Sequence, residues 1–210
     1  MQGVSKTEMP ELFTTQTYFQ TYTHRVLWEC VKRQLEKAKE KPDGSFYFWL
    51  PAMVMGYMVF EAYLNYVGEA LAPEAWDDEK TFFSKDPYKG SQGKLQFLLD
   101  RYGIAAFDKS TSPFNSVFVL KSIRDEIAHA KPHHEEQSVT HPSNVMAPFT
   151  RPWLQNRINE KEATRLLDDL EIFIKTIHQS FRGCKDGNRL VSEHPLDGLL
   201  GFGTGETLPQ

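Results

Sequence analysis

The stretch from Phe46 to Val67 restricts the fold more than any other part of the chain. Nearly every position in it is apolar or aromatic. A helix apolar on all sides has no face for water, so it belongs in a membrane or at the centre of a core. Pro51, Gly56, Glu61 and Asn65 interrupt the run. A carboxylate and an amide are costly in lipid. The segment therefore reads as a central core helix over about 45–71, and no membrane association is expected.

The remaining periodicity supplies helices to surround it. Phe19, Tyr22, Val26, Cys30, Val31, Leu35 and Ala38 recur at steps of three and four, which predicts a helix from about Thr17 to Lys41, ended by Pro42-Asp43-Gly44. A short helix is expected near Glu74 to Phe83. Another spans about Gln92 to Tyr102, with Gly103 suited to its C-terminal cap. Ser112-Pro113 suits the start of a helix running to about Ala130, where Pro132 stops it. The last helix begins after Asn159, with Glu162 three residues on in a capping-box pattern, and its apolar stripe runs from Ala163 to Phe181. Residues 132–158 read as a long polar loop. No segment alternates as a strand should, and the glycine-rich tail after 198 reads as a flexible arm. The expected fold is all-α: an up-and-down bundle of about five helices in one domain over 1–183, followed by an arm or tail over 184–210.

Composition narrows the setting. The chain has 210 residues and a net charge of −4, so it has no global attraction to nucleic acid. Cys30 and Cys184 are far apart and form no C-x-x-C pair, which argues against a disulfide framework or zinc–thiolate site. The first residues lack the apolar run of a signal peptide. The cytoplasm is the expected location.

Chemistry concentrates in Phe114 to Pro132, FNSVFVLKSIRDEIAHAKP. At about 100° per residue, Leu120, Ile123, Ile127 and Ala130 share one helical face, expected to meet the core. Phe114, Phe118, Asp125 and His129 lie nearly opposite. Phenylalanines on that side suit a second subunit better than water. Arg124 and His129 are about 140° apart on an ideal helix, yet an arginine is long enough to reach around. The negative end of the helix and Asp125 one turn back both favour a protonated imidazole at His129. An imidazole near neutrality can accept and donate protons, as attack by an RNA 2′-hydroxyl requires. A guanidinium beside it can hold the phosphate through paired hydrogen bonds. The bland alternative is that Arg124 pairs with a core acid while His129 sits on the surface. Glu61 inside the apolar helix needs a partner unless it faces solvent; Arg124 is a candidate, and Asn65 one turn on could extend the polar patch.

Arg124-Asp125-Glu126-Ile127-Ala128-His129 resembles the R-x4-H motif of the HEPN superfamily, all-α domains with that motif near the end of a helix. The resemblance implies a metal-independent endoribonuclease that needs no cofactor and acts on RNA as a homodimer, the motif helices facing each other across one cleft. It implies phosphate binding by Arg124, acid–base work by His129 and an orienting role for Asp125, which stands where the family more often has Asn. Toxins and phage-defence components are typical of the family. Other HEPN-like domains are non-catalytic helical dimers that bind a partner, such as a nucleotidyltransferase-like subunit or an antitoxin. His129, His133, His134 and His141 with Glu135 and Glu136 could suggest a metal, but Pro132 prevents a common helical face, and no metal site is expected. Gly201-Phe202-Gly203-Thr204-Gly205 lacks the lysine and the strand-to-helix setting of a phosphate loop.

Overall fold

The computed structural model of the chain describes residues 13–131, 136, 138, 140, 142–143, 145–146 and 153–209. It is mostly helical. In chain order the elements are β1 (Phe13–Thr21), α1 (Thr23–Glu40), α2 (Phe46–Leu71), α3 (Pro73–Trp76), α4 (Glu79–Phe82), α5 (Gly90–Tyr102), α6 (Phe114–Ala128), α7 (Trp153–Arg157), α8 (Glu160–Arg182) and β2 (Gly201–Pro209). Among the described residues, no helix is long and apolar enough to cross a membrane.

The apolar segment is indeed central: α2 packs against α1, α5, α6 and α8. Its Met53, Tyr57, Phe60, Tyr63, Leu64 and Val67 are buried. Gly68 permits one of these contacts. A Cβ there would fall 2.0 Å from the Trp76 ring, so α3 closes onto the α2 backbone only because the side chain is missing. From the other side α8 presents Leu166, Leu170, Phe173, Ile174 and Ile177, spaced so that one face is apolar from end to end. Phe173 stacks on Phe114 of α6 at 4.7 Å and meets Phe60 of α2 at 6.1 Å between ring centroids. One side chain thus joins three helices.

The start of α8 follows the expected capping pattern. The Glu162 backbone N–H donates to Asn159 Oδ1 at 3.1 Å. Asn159→Ala should cost about 1 kcal/mol of stability, the usual loss when such a cap goes, measured as a shift in the urea midpoint at unchanged slope.

Three local expectations are corrected. Pro113, not Ser112, occupies the position before α6, and no side chain caps that end. The stretch expected as loop up to residue 158 contains α7, tied to α6 by Arg157 Nη1 and Glu126 Oε2 at 2.6 Å. Thr17 to Thr21 are strand, not the first turn of α1, and the glycine-rich tail is their antiparallel partner, from Phe13 opposite Pro209 to Thr21 opposite Gly201. Phe19 lies across Gly203, where a Cβ would meet the ring at 2.7 Å.

The chain beyond Gly183 also contributes to the core, through buried Leu190 and Leu196. It is fastened by buried Arg25, whose guanidinium donates to the carbonyls of His194, Pro195 and Leu199 at 3.0, 3.2 and 2.9 Å. His178 stands beside this strap, with Nε2 2.8 Å from the Ser192 carbonyl and Nδ1 3.2 Å from the Tyr63 hydroxyl. His24 is buried against Tyr66, with ring centroids 4.7 Å apart. Burial, then the charges of Arg25 and His178, lowers His24 from 6.5 to about 4. Burial lowers His178 too. Above the ordinary value both states leave His24 neutral, so it adds no pH dependence. As pH falls from 6.5 towards 4, the unfolded chain takes up a proton that the folded chain refuses, and His24 alone removes roughly 3 kcal/mol. Denaturant melts across that window should show the loss, and His24→Gln should flatten it.

Candidate functional site

The site grows from two helices that cross the core. On α2, Tyr57, Glu61 and Asn65 follow one another at four-residue steps and so line one edge. On α6, Phe114, Ser116, Val117, Leu120 and Ile123 are buried and fix the helix against α2 and α8. That anchoring turns Arg124 towards the α2 edge.

Arg124 Nη2 donates to Glu61 Oε1 at 3.2 Å, and Nη1 lies 2.8 Å from Asp125 Oδ1. Its guanidinium carbon sits 4.7 Å above the centre of the Tyr57 ring, within cation–π range. Ser91 of α5 donates to the same Glu61 oxygen at 2.6 Å. Lys121 pairs with the other Asp125 oxygen, one turn back along α6. The Lys121 hydrogen bond, then the charges of Arg124 and His129, holds the Asp125 carboxyl below its ordinary value against the opposing effect of burial. Burial raises the Tyr57 phenol above its own, so it stays neutral beneath the guanidinium.

His129 follows the last helical residue. Its backbone N–H donates to the Asp125 carbonyl at 3.0 Å, and its ring is exposed. Arg124 and His129 thus lie within two turns of each other at the C-terminal end of α6, Arg124 paired with Asp125 through its side chain and His129 joined to Asp125 through the backbone. Asn65 does not join them. Its Oδ1 accepts from Lys94 Nζ at 2.8 Å and Trp76 Nε1 at 3.3 Å, and Lys94 also pairs with Glu79. This is a separate network one turn along α2.

The second face of α6 differs from expectation. Phe114 is part of the core, stacked on Phe173, and Phe118 is partly buried against Phe114 at 5.0 Å. α8 covers the position assigned to a second subunit, because the chain from Phe107 onward also folds back onto Phe173 at 5.0 Å. Ala130, expected in the core, is exposed beyond the helix end. What remains uncovered is the polar end with Lys121, Asp125 and His129.

Within one chain the site is an edge, not a pocket. The crevice between Tyr57, Gln92, Phe118 and Lys121 holds only about 10 Å³. A larger hollow of about 590 Å³ lies elsewhere, between the α1–α2 turn and the start of α8, lined by Lys39, Tyr47, Trp49 and Asn159. Among the described residues no three potential metal ligands converge; His133, His134, Glu135 and His141 lie outside them. Sequence reasoning missed Tyr57, Ser91 and Lys121. The four-residue steps to Glu61 and Asp125 could have found Tyr57 and Lys121. Nothing local marks Ser91, which arrives by the packing of α5 on α2.

No family model matches the sequence, and no curated protein or solved structure is similar to it at a meaningful level.

Proposed function

We propose that the chain is a metal-independent endoribonuclease of HEPN type, its helices forming the bundle of that superfamily. In this reading Arg124 binds the scissile phosphate, and His129 moves the proton of the attacking 2′-hydroxyl or of the leaving oxygen. The observation that supports it is the placing of Arg124, paired with Asp125, and the exposed His129 within two turns of each other at the C-terminal end of α6. A shallow edge suits a long polymer whose own backbone fills the space. A second copy, with its motif helix opposed to the first, would convert two edges into a groove and double the number of guanidinium and imidazole groups.

The chemistry needs no metal and ends in a 2′,3′-cyclic phosphate. The test is incubation of the purified chain with single-stranded RNA in excess EDTA, with mass spectrometry of the new 3′ ends. Cleavage leaving cyclic phosphate, and lost with Arg124→Ala, supports the reading. Intact RNA at all concentrations sinks it.

One observation favours a second reading. Arg124 is already engaged by two carboxylates, and Lys121 by one of them, so the edge carries little net positive charge. A non-catalytic domain that binds a protein partner, such as an antitoxin or a nucleotidyltransferase-like subunit, would look like this too. It predicts intact RNA and a stable complex with the partner.

A further inference from the structure

Both terminal nitrogens of Arg124 are already engaged. Nη2 donates to Glu61 Oε1 at 3.2 Å, and Nη1 lies 2.8 Å from Asp125 Oδ1. The fork that would take a phosphate through two parallel hydrogen bonds therefore carries a carboxylate oxygen at each end. One face of the guanidinium plane lies on the Tyr57 ring, 4.7 Å from its centre. The third nitrogen, Nε, is buried and donates to nothing. A buried donor of a charged group is costly without an acceptor, so the held position leaves one donor of this arginine unsatisfied.

The two carboxylates are not equivalent. Asp125 adjoins Arg124 on α6 and also pairs with Lys121, so it stays with the helix and keeps a cation whatever Arg124 does. Glu61 reaches across from α2, and its side chain is 36% exposed. A carboxylate at that depth can turn into water with little change in its solvation. Ser91 of α5 donates to the same Glu61 Oε1 at 2.6 Å, which holds that oxygen between the hydroxyl and the guanidinium.

We infer that Glu61 is a built-in competitor for phosphate: it occupies Arg124 in the free chain and is displaced when a phosphate takes the same guanidinium. This rests on the phosphate-binding role proposed above for Arg124. The contact is autoinhibitory, because the anion that holds the arginine in place is also the one that keeps others away. Two like unit charges about 4 Å apart repel by a factor of about five in affinity even at the dielectric constant of water, and by more where water is partly excluded. Displacement also frees the guanidinium to shift and offer Nε to an acceptor.

The experiment is a titration of the full chain with inorganic phosphate at low salt, beside Glu61→Gln, Arg124→Gln and the double variant. Binding is followed by NMR at the amides ending α6 and, where the arginine is present, at its Nε–H. Glutamine keeps an oxygen for Arg124 and Ser91 and removes only the charge. Glu61→Gln should bind phosphate about fivefold more tightly or better. The gain should vanish in the Arg124→Gln background, as a coupling between the two residues requires. A gain below about twofold, or weaker binding, overturns the inference and makes Glu61 a positioning partner of Arg124. So does a gain that survives without Arg124, or a failure of every chain to bind phosphate. The RNA assay separates this outcome from the nuclease reading. Tighter phosphate binding with intact RNA keeps the competitor and sinks the nuclease; cleavage to cyclic phosphate with no gain in Glu61→Gln does the reverse.

Discussion

His129→Ala should abolish RNA cleavage while leaving the fold untouched. The imidazole is exposed and follows the last helical residue. Surface changes of this kind usually alter stability by less than about 0.5 kcal/mol. If the ring carries the proton in the reaction, its loss should slow cleavage by about 10²–10⁴-fold, the usual contribution of a positioned general acid or base. Arg124→Ala should be comparably damaging, since it removes a charged donor aimed at developing phosphate charge. It acts less cleanly on the fold, because Glu61 then keeps only Ser91 of its two bonded partners. Helical circular dichroism should be unchanged for His129→Ala and nearly so for Arg124→Ala. Cleavage that persists in His129→Ala would remove the imidazole from the mechanism. A His129→Ala chain that unfolds would return that residue to a structural role.

The largest stability effect should come from Phe173→Ala. Phe173 is 1% exposed and meets Phe60, Phe107 and Phe114 with ring centroids 6.1, 5.0 and 4.7 Å away. Truncation removes a phenyl ring from a close-packed junction of α2, α6 and α8, and neighbours relax into such a space only partly. The loss should be about 3–5 kcal/mol, a large part of the total stability of a domain this size. Urea unfolding should show it as a lower midpoint with the same slope. Phe173→Leu should recover more than half of it. A loss under about 1 kcal/mol for the alanine variant would mean that the aromatic junction is not what holds α6 against α8.

The two predictions are coupled through α6. The face with Phe114 and Leu120 places the helix, and the placement sets Arg124 over Tyr57 and within reach of Glu61. Loosening the junction should therefore weaken cleavage even though Phe173 touches none of the polar groups.

The helical part of the fold was legible because burial leaves a period in the sequence. α8 shows it most clearly: its apolar stripe and Asn159 cap are both local signals, and both are present in the structure. The all-round apolar character of α2 likewise announced a helix at the centre of the core, where it packs against α1, α5, α6 and α8. The Glu61–Arg124 pair was legible for a different reason: a carboxylate inside an apolar helix demands a partner, and few cations were available. The proposed chemistry rests on a short motif and the resemblance behind it.

Tertiary structure decided the rest. The first strand left no period because its side chains from Thr15 to Thr21 are all exposed, so nothing selected for alternation along that stretch. The ribbon's strands come from opposite ends of the chain, and long-range contacts such as the Arg25 strap bring them together. Phe114 could not be assigned to core or interface from its position on a wheel, because the cover it receives comes from Phe173, about 60 residues away in sequence. Ser91 joined Glu61 for the same reason. A local sequence records what its own backbone will do and which face must leave water; it does not record which distant surface arrives to meet that face.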